Sequence, residues 1–291
     1  MTAPLRTVFL NHGGGPCFFM PDGAMGPPGA WTAMADHLRS LATRCGVVRP
    51  PKAILIVSAH WETRGGPRVT TSPNPPLLYD YHGFPPETYE LRWPAPGSPA
   101  LASRASELLR DAGFESEGDR SRGFDHGVFV PLKLAFPDAD VPTVQLSLIE
   151  GLDPDLHLSM GRALAPLRRE GVFLIGSGQS FHNMSGFFAP GDELERASRD
   201  FDAWLNETCA AGDPAQRSAR LRDWRSAPGA GRCPPAGGAP RAAVRRRRRR
   251  RGRARGENIR RKVGAENSHE RIRVRGVAMS GGEREAGRGT R

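Results

Sequence analysis

The chain has 291 residues, of which 38% are hydrophobic, and its formal net charge is +11. This is enough apolar sequence to bury the core of one large domain or of two small ones. No stretch reaches the roughly 18 apolar residues that a membrane helix needs, so we expect a soluble protein with no membrane partner.

The positive charge is confined to the C-terminal part. Residues 229–291 contain 20 Lys and Arg against 5 Asp and Glu and have no Phe, Trp or Tyr, whereas residues 1–228 contain 22 against 26 and all the aromatic residues. Without aromatic residues and with a high net charge, a segment cannot bury enough apolar surface to offset its chain entropy. The composition therefore predicts a folded domain over residues 1–228 and a disordered Arg-rich tail over 229–291.

The cysteines indicate the redox compartment. Cys17, Cys45, Cys209 and Cys233 are scattered and form no C-x-x-C pair, so neither a zinc ribbon nor a disulfide framework is indicated. The opening "MTAPLRTVFLNHGGG" has an apolar run too short for a signal peptide. Reduced thiols in the cytoplasm are the simplest interpretation.

The first predicted elements are a strand, a helix and a second strand. Their sequences are "RTVFLNHGGG", which breaks into three glycines, "GAWTAMADHLRSLATRCG", with apolar residues three and four apart, and "KAILIVSAHWET", a continuous apolar run. Two strands joined by a helix predict a βαβ unit and hence a parallel sheet.

The same alternation continues along the chain. "SPALASRASELLRDAG" predicts a helix, "TVQLSLI" a strand, "DPDLHLSMGRALAPLRREG" a helix and "VFLIGSGQSFHNM" a strand, and two further helices follow in "DELERASRDFDAWLNETCAAG" and "AQRSARLRDW". The sequence therefore predicts a single α/β domain with a central, mostly parallel sheet flanked by helices. In such sheets ligands bind beyond the carboxyl ends of the strands.

Four histidines lie where that crevice is expected. His12 and His60 each follow a predicted strand, and two neutral imidazoles at neighbouring strand ends are the usual beginning of a transition-metal site. A strand-end histidine is, however, more often satisfied by the backbone than bound to a metal. His126, in "FDHGVFVPL", and His182, after a glycine-rich strand end, are suited to acid–base chemistry near neutral pH.

The other histidines have simpler interpretations. His37 is expected to be solvated on a helix, His157 to cap or pack at a helix start, and His269 to lie in the tail. His82 lies in the loop "YDYHGFPPETYELRWPAPG", where substrate contact and loop packing are both open. The aromatic residues of this loop, Phe84, Tyr89 and Trp93, are candidates either for lining a pocket or for packing.

Five motifs in order resemble one family. "NHGGGP", "SAHWET", "YDYHGFPPETYELRWPAPG", "DHGVFVPL" and "GSGQSFHNM" are similar to class III extradiol ring-cleavage dioxygenases of the protocatechuate-4,5-dioxygenase beta-subunit type, and within them to the DOPA-extradiol branch. The similarity runs from about Leu10 to Pro228. Each motif alone is weak, but five in order at compatible spacing are specific.

The resemblance implies an Fe(II) site, often occupied by zinc in structures, with His12 and His60 as metal ligands. A catechol and O₂ would bind at the metal, and the ring would open beside one hydroxyl to give a semialdehyde. In this comparison His182 matches the acid–base residue, and His126 matches a histidine near the substrate oxygens. The metal and the substrate carry the electronic chemistry, while the protein supplies geometry and proton control.

The resemblance also exposes a missing ligand. The family's third ligand lies in a C-terminal segment that resembles His-Pro-x-Glu-Glu-His, but here residues 234–240 read PPAGGAP, and no His, Asp or Glu stands between Asp223 and Glu257. If those residues are encoded CCA CCC GCG GGA GGA GCA CCN, the reading one base later gives His-Pro-Arg-Glu-Glu-His. The tail is therefore interpreted as the product of a shifted reading frame, and the chain as written is expected to bind iron weakly and to be a poor dioxygenase.

Two alternatives to this interpretation remain open. One is a metal-binding but non-catalytic member of the same superfamily. The other is nucleic-acid binding through the seven consecutive arginines at 245–251, which would be nonspecific and salt-dependent. The tail lacks aromatic residues for base stacking, and the body resembles no nucleic-acid fold.

Overall fold

The computed structural model describes residues 4–47, 50–183, 186 and 191–233. Everything predicted for residues 234–291, including the arginine run, His269 and the disorder of the tail, lies outside the described residues. The described body extends five residues past the predicted boundary at 228. Ala230–Arg232 form a 3-10 turn, and Ala230 is buried against the cluster that contains Phe201.

Six strands form one central sheet in the described part of the chain. They are β1 (Thr7–Asn11), β2 (Ala53–Thr63), β3 (Arg68–Thr70), β4 (Glu117–Asp119), β5 (Thr143–Ile149) and β6 (Val172–Gly178), in the spatial order β1-β6-β2-β5-β3-β4. All neighbouring strands are parallel except β3 and β5, which are antiparallel. The predicted mostly parallel sheet is confirmed.

Helices cover both faces of this sheet. They are α1 (Thr32–Arg39), α2 (Leu41–Arg44), α3 (Pro99–Asp111), α4 (His126–Ala135), α5 (Pro154–Leu164), α6 (Asp192–Ala210) and α7 (Pro214–Arg222). None of the helices in the described ranges has the length and hydropathy to cross a membrane.

The alternation of side chains along β2 divides the core into two clusters. Ile54 and Ile56 pack on one face with residues of α1 and α4, and Ala53 and Leu55 pack on the other with residues of α3 and α5. Because side chains of a strand alternate between the two faces of the sheet, a strand covered on both faces is apolar throughout. This is why "AILIV" in β2 is an uninterrupted apolar run.

The main differences from the predicted elements are local. One helix was predicted between the first two strands, but the chain breaks at Ser40 into α1 and α2. His60 was predicted just past the end of a strand, whereas β2 continues through it to Thr63. The segment "HGVFVPLKLA" is the buried helix α4. Strands β3 and β4 are three residues each and too short to give a periodic signal.

Truncation of Leu146 measures how much the packing of this core contributes to the free energy of unfolding. It is fully buried in β5, the strand between β2 and β3. Leu146→Ala should lower the free energy of unfolding by about 2–5 kcal/mol, because it removes apolar contacts and leaves a cavity. Urea unfolding measures this free energy. The control is Leu156→Ala on the exposed surface of α5, whose free energy of unfolding should stay within about 0.5 kcal/mol of that of the parent. Equal effects of the two variants would contradict this packing.

Candidate metal centre

Three imidazoles meet at one end of the sheet. His12 follows β1, His60 lies in β2, and His126 is the first residue of α4. The Nε2 atoms of His12 and His60 are 3.0 Å apart, and the ring centroids of His60 and His126 are 4.0 Å apart. A nitrogen from each of the three rings lies within 4.8 Å of the others. The structure thus brings together three of the four histidines singled out in the sequence.

A bulge in β2 aims His60 at this point. The pairing of β2 with β5 is interrupted between Val57 and Glu62, and His60 lies in the interruption. Its backbone N–H donates to Ser58 Oγ at 3.2 Å, outside the strand ladder. Bulges re-aim side chains next to functional sites, and here the bulge turns an imidazole toward the end of β1. The side chain of His60 stays 33% exposed, so the cluster is open to solvent on this side.

The hydrogen bonds of His12 fix which of its nitrogens is free. The hydroxyl of Ser177 donates its one hydrogen to the carbonyl of Gly127, so its oxygen accepts from His12 Nδ1–H at 3.0 Å. The Nε2 atom of His12 therefore keeps its lone pair and faces Nε2 of His60. Gly127 also lies close to Ser58. A Cβ at position 127 would be only 2.6 Å from Ser58 Oγ, so the packing there requires a glycine.

Asp80 contacts the cluster from the aromatic loop. Its Oδ1 accepts from His126 Nδ1 at 2.8 Å and from the backbone N–H of His126 at 2.9 Å. Its Oδ2 lies 4.0 Å from Nδ1 of His60. Burial alone would raise the pKa of Asp80, but the hydrogen bonds and charge of His126 outweigh it and hold the pKa below its ordinary value. Asp80 is therefore an ionised acceptor at neutral pH.

Burial keeps the imidazoles in the form that binds metals. It lowers the pKa of His12 well below its ordinary value, and the neighbouring His126 and His60 lower it further. Burial also lowers the pKa of His60, with His126 as the next cause. Both rings are therefore neutral near pH 7, and only a neutral imidazole offers a lone pair to a metal ion.

The nitrogen atoms of His12 and His60 fit a transition-metal ion. Two imidazole nitrogens bound at ~2.1 Å to one ion and ~90° apart are separated by ~3.0 Å, which matches the distance between the two Nε2 atoms. Two lone pairs facing each other at this distance repel each other unless a proton or a cation lies between them. Imidazole ligands suit iron and zinc alike, so the donor set accepts either ion.

A buried carboxylate, Asp125, is the centre of a hydrogen-bond network next to the three imidazoles. Asp125, which is fully buried, accepts from Ser58 Oγ at 2.7 Å, from Arg122 at 3.0 Å and from the amide of Gln145. Arg122 also donates to the carbonyl of His60 at 3.2 Å. The network therefore joins the bulge of β2 to the residue that precedes His126.

Removing this carboxylate should destabilise the fold. Asp125→Ala leaves Arg122 without its buried partner, and we expect the free energy of unfolding to fall by about 3 kcal/mol, the low end for a broken buried pair because Arg122 is partly exposed. Denaturant unfolding checks this against Asp138→Ala, a change at an exposed site. A loss below about 1 kcal/mol would contradict the proposed strength of the network.

His182 lies on an exposed segment after β6. The N–H of Ser180, two residues before it, donates to Oδ1 of Asn11 at 3.2 Å, so this segment runs beside the end of β1, and His182 is not one of the three clustered imidazoles. The neighbouring Asn183 donates from its amide to the carbonyl of Arg232 at 2.6 Å. Cys233, the last described residue, has its sulfur 3.9 Å from the carbonyl of Ser180. The chain after residue 233 therefore begins beside the His182 segment.

The remaining candidates are not members of the three-imidazole cluster. Trp93 is buried and donates to the carbonyl of Phe136, so it packs rather than lines a pocket. The ring of Tyr89 packs at a tilt against the ring of Tyr81, and the ring of Phe84 lies against Gly15. His82 and His37 are exposed. His157 accepts from the N–H of Ile149 at 3.1 Å and donates to the carbonyl of Asp153, as expected for a capping residue.

The sequence interpretation missed the groups that hold the histidines. Asp80 lies two residues before His82 in the loop "YDYHGFPPETYELRWPAPG", but a carboxylate in a loop gives no periodic signal. Asp125 directly precedes His126, and this pairing was the one available sign of its role. Ser58 and Ser177 were hidden because small polar residues within apolar strands are common.

The comparisons with known proteins agree with this geometry. The family described as "LigB: Catalytic LigB subunit of aromatic ring-opening dioxygenase" matches residues 7–221. The chain is 39% identical over 247 residues to the dioxygenase tasH of Hapsidospora irregularis, covering 79% of this chain and 73% of that protein. It is 44% identical over 165 residues to the 4,5-DOPA dioxygenase extradiol of Beta vulgaris, covering 56% and 61%.

One relative and one solved structure from Escherichia coli K12 are also similar. The 4,5-DOPA dioxygenase extradiol of that strain is 39% identical over 186 residues, covering 63% of this chain and 66% of that protein. The crystal structure of an uncharacterized protein aligns with a TM-score of 0.55 at 33% identity, covering 69% and 75%. The chain thus spans less than two thirds of the length of the 4,5-DOPA dioxygenases from Beta vulgaris and Escherichia coli. The family inferred from five sequence motifs is confirmed: the chain belongs to the LigB family of catalytic subunits of aromatic ring-opening dioxygenases.

Proposed function

We propose that this chain derives from an Fe(II)-dependent dioxygenase that opens the ring of a catechol beside its hydroxyl groups. The observation that carries the proposal is the meeting of His12, His60 and His126 in a chain of this family. Four of the proteins that it resembles are named 4,5-DOPA dioxygenase extradiol, which favours a DOPA-like catechol. We place the protein in the cytoplasm, with the catechol and O₂ as its partners.

His12 and His60 are the proposed metal ligands. Their free Nε2 atoms face each other, and their Nδ1 sides are turned toward Ser177 and Asp80. Iron, when bound, would supply the redox chemistry that lets a catechol react with O₂, and zinc is expected to occupy the same ligands without that activity. The protein holds the two imidazoles at a fixed angle and leaves the His60 side open to the substrate.

His126 and His182 are the proposed proton-transfer residues. The Nδ1–H of His126 is held by Asp80, which leaves Nε2 as a base for a catechol hydroxyl placed at the cluster. His182 is exposed beside the same cluster and exchanges protons with solvent more readily. Two histidines suit a reaction that removes protons from the catechol and later returns one.

The third metal ligand is proposed to be missing from this chain through a shift of the reading frame after residue 233. The support is that one choice of codons for residues 234–240 reads His-Pro-Arg-Glu-Glu-His one base later, and that Cys233 lies beside the segment of His182. A ligand on that segment would start next to the cluster. The alternative is a metal-binding member without catalysis, which the absence of His, Asp and Glu between residues 223 and 257 favours.

Ring opening by variants of the chain tests the proposal. The protein is loaded with Fe(II) without oxygen, mixed with DOPA or a simpler catechol in air, and followed by the visible absorbance of the semialdehyde. We expect slow formation of the extradiol product, and a loss of ~100-fold or more in His126→Ala or His182→Ala with Zn²⁺ affinity changed little. If His126→Ala lost the metal instead, the ring would be a ligand and not a proton-transfer residue.

A further inference from the structure

One carboxylate faces the Nδ1 sides of two imidazoles of the cluster. Asp80 Oδ1 lies 2.8 Å from Nδ1 of His126, and Oδ2 lies 4.0 Å from Nδ1 of His60. The Asp80 side chain is only 20% exposed, and its Oδ1 also accepts the backbone N–H of His126. A single residue outside the three imidazoles is thus in contact with two of them.

The chemistry of these contacts decides where the ring hydrogens lie. An ionised carboxylate only accepts hydrogen bonds, so Nδ1 of His126 must carry a hydrogen, and in the neutral ring Nε2 carries the lone pair. The negative charge also favours a hydrogen on Nδ1 of His60, whose Nε2 points at His12. Asp80 therefore leaves Nε2 of the neutral His126 free and favours the form of His60 that turns a lone pair toward a metal ion.

Asp80 is itself held by the backbone around His126. It lies in a loop outside the helices and strands, and its N–H donates to the carbonyl of Leu78 at 3.0 Å. The N–H of Leu78 donates to the carbonyl of Phe124 at 2.7 Å, two residues before His126. The hydroxyl of the next residue, Tyr81, donates to the carbonyl of Thr88 at 2.6 Å. The carboxylate thus has a fixed place relative to the start of α4.

We propose that Asp80 is a positioning residue, which sets the tautomer and orientation of His126 and His60 and thereby the metal affinity of the site. The proposal rests on the proposed function for its metal, but not for its hydrogen bonds. Outer carboxylate partners of metal-binding histidines typically change metal affinity or activity 10–100-fold. Asp80 does this for two rings from a loop whose aromatic residues also pack on α4 through Phe129.

The tautomers of the ring nitrogens test this without metal or activity. The full chain is labelled with nitrogen-15, and the shifts of Nδ1 and Nε2 are read in the metal-free protein where the imidazoles are neutral. In the parent, the neutral His126 ring should be Nδ1–H. In Asp80→Ala it should move toward Nε2–H. In Asp80→Asn, the side-chain oxygen still accepts from His126, so His126 should keep the Nδ1–H form.

Metal affinity is the second readout, with Asp138→Asn as an exposed control. Zn²⁺ should bind Asp80→Ala about 10–100-fold more weakly than the parent and the control, while circular dichroism shows the fold retained. Unchanged tautomers in Asp80→Ala, or a Zn²⁺ affinity within about 3-fold of the parent, would overturn the proposal. If the parent itself binds no metal, the proposed function fails, and the nitrogen shifts still decide the role of Asp80.

Discussion

Replacing His60 by alanine should abolish metal binding by this chain. His60 and His12 face each other through their Nε2 atoms at 3.0 Å, so the loss of His60 leaves His12 as the single proposed metal ligand. We expect the affinity for Zn²⁺ or Co²⁺ to fall by more than ~100-fold, beyond the effect of losing an outer partner. Titration with a competing chelator measures this, and Co²⁺ absorption reports the ligand set.

The matched control for this variant is His37→Ala. His37 lies on the exposed side of α1, away from the three imidazoles. The His37→Ala variant should have a metal affinity and an unfolding midpoint close to those of the parent. A metal affinity that survives in His60→Ala but falls in His126→Ala would move the metal away from the pair of Nε2 atoms.

Replacing residues 234–239 by His-Pro-Arg-Glu-Glu-His should strengthen metal binding. The replacement gives the chain the ligand that the family resemblance places in this segment, and Cys233 begins it beside Ser180 and the His182 segment. A third ligand should raise the affinity by ~100-fold or more, the reverse of losing one. It should also raise the unfolding midpoint in the presence of Zn²⁺, since a metal that binds only the folded state stabilises it.

The control for the replacement is the same six residues with both histidines changed to alanine. If that chain gains as much affinity as the first, the gain comes from the altered backbone or charge and not from a ligand. No gain in either chain would mean that the shifted frame does not account for the missing ligand.

Most of the fold could be predicted because its strong signals are local. The apolar run of β2, the helical periodicity of α3 and the proline and glycine at its ends each reflect the chain's own geometry. Ser98 caps α3 by accepting from the N–H of Leu101, as its position before Pro99 indicated. Strands β3 and β4 could not be predicted because each has only three residues and is held by its partner strands and not by a pattern of its own.

The site was predictable only in part, for a physical reason. Glycine-rich loops and strand ends indicated His12 and His60, but the residues alone favoured backbone hydrogen bonding over metal binding. What settles their environment is distant in the chain: Ser177 meets His12 across 165 residues, and Asp80 meets His126 across 46. Contacts of this kind form only when the whole sheet has assembled, so no local sequence pattern predicts them.

Oxygen-18 labelling tests the central claim most directly. The chain as written and the chain with residues 234–239 replaced are loaded anaerobically with Fe(II), given DOPA and ¹⁸O₂, and the products are weighed by mass spectrometry. The account predicts a ring-opened product with both atoms of O₂ incorporated, formed slowly by the first chain and at least ~100-fold faster by the second. A second chain that binds Fe(II) tightly but yields no labelled ring-opened product would contradict it.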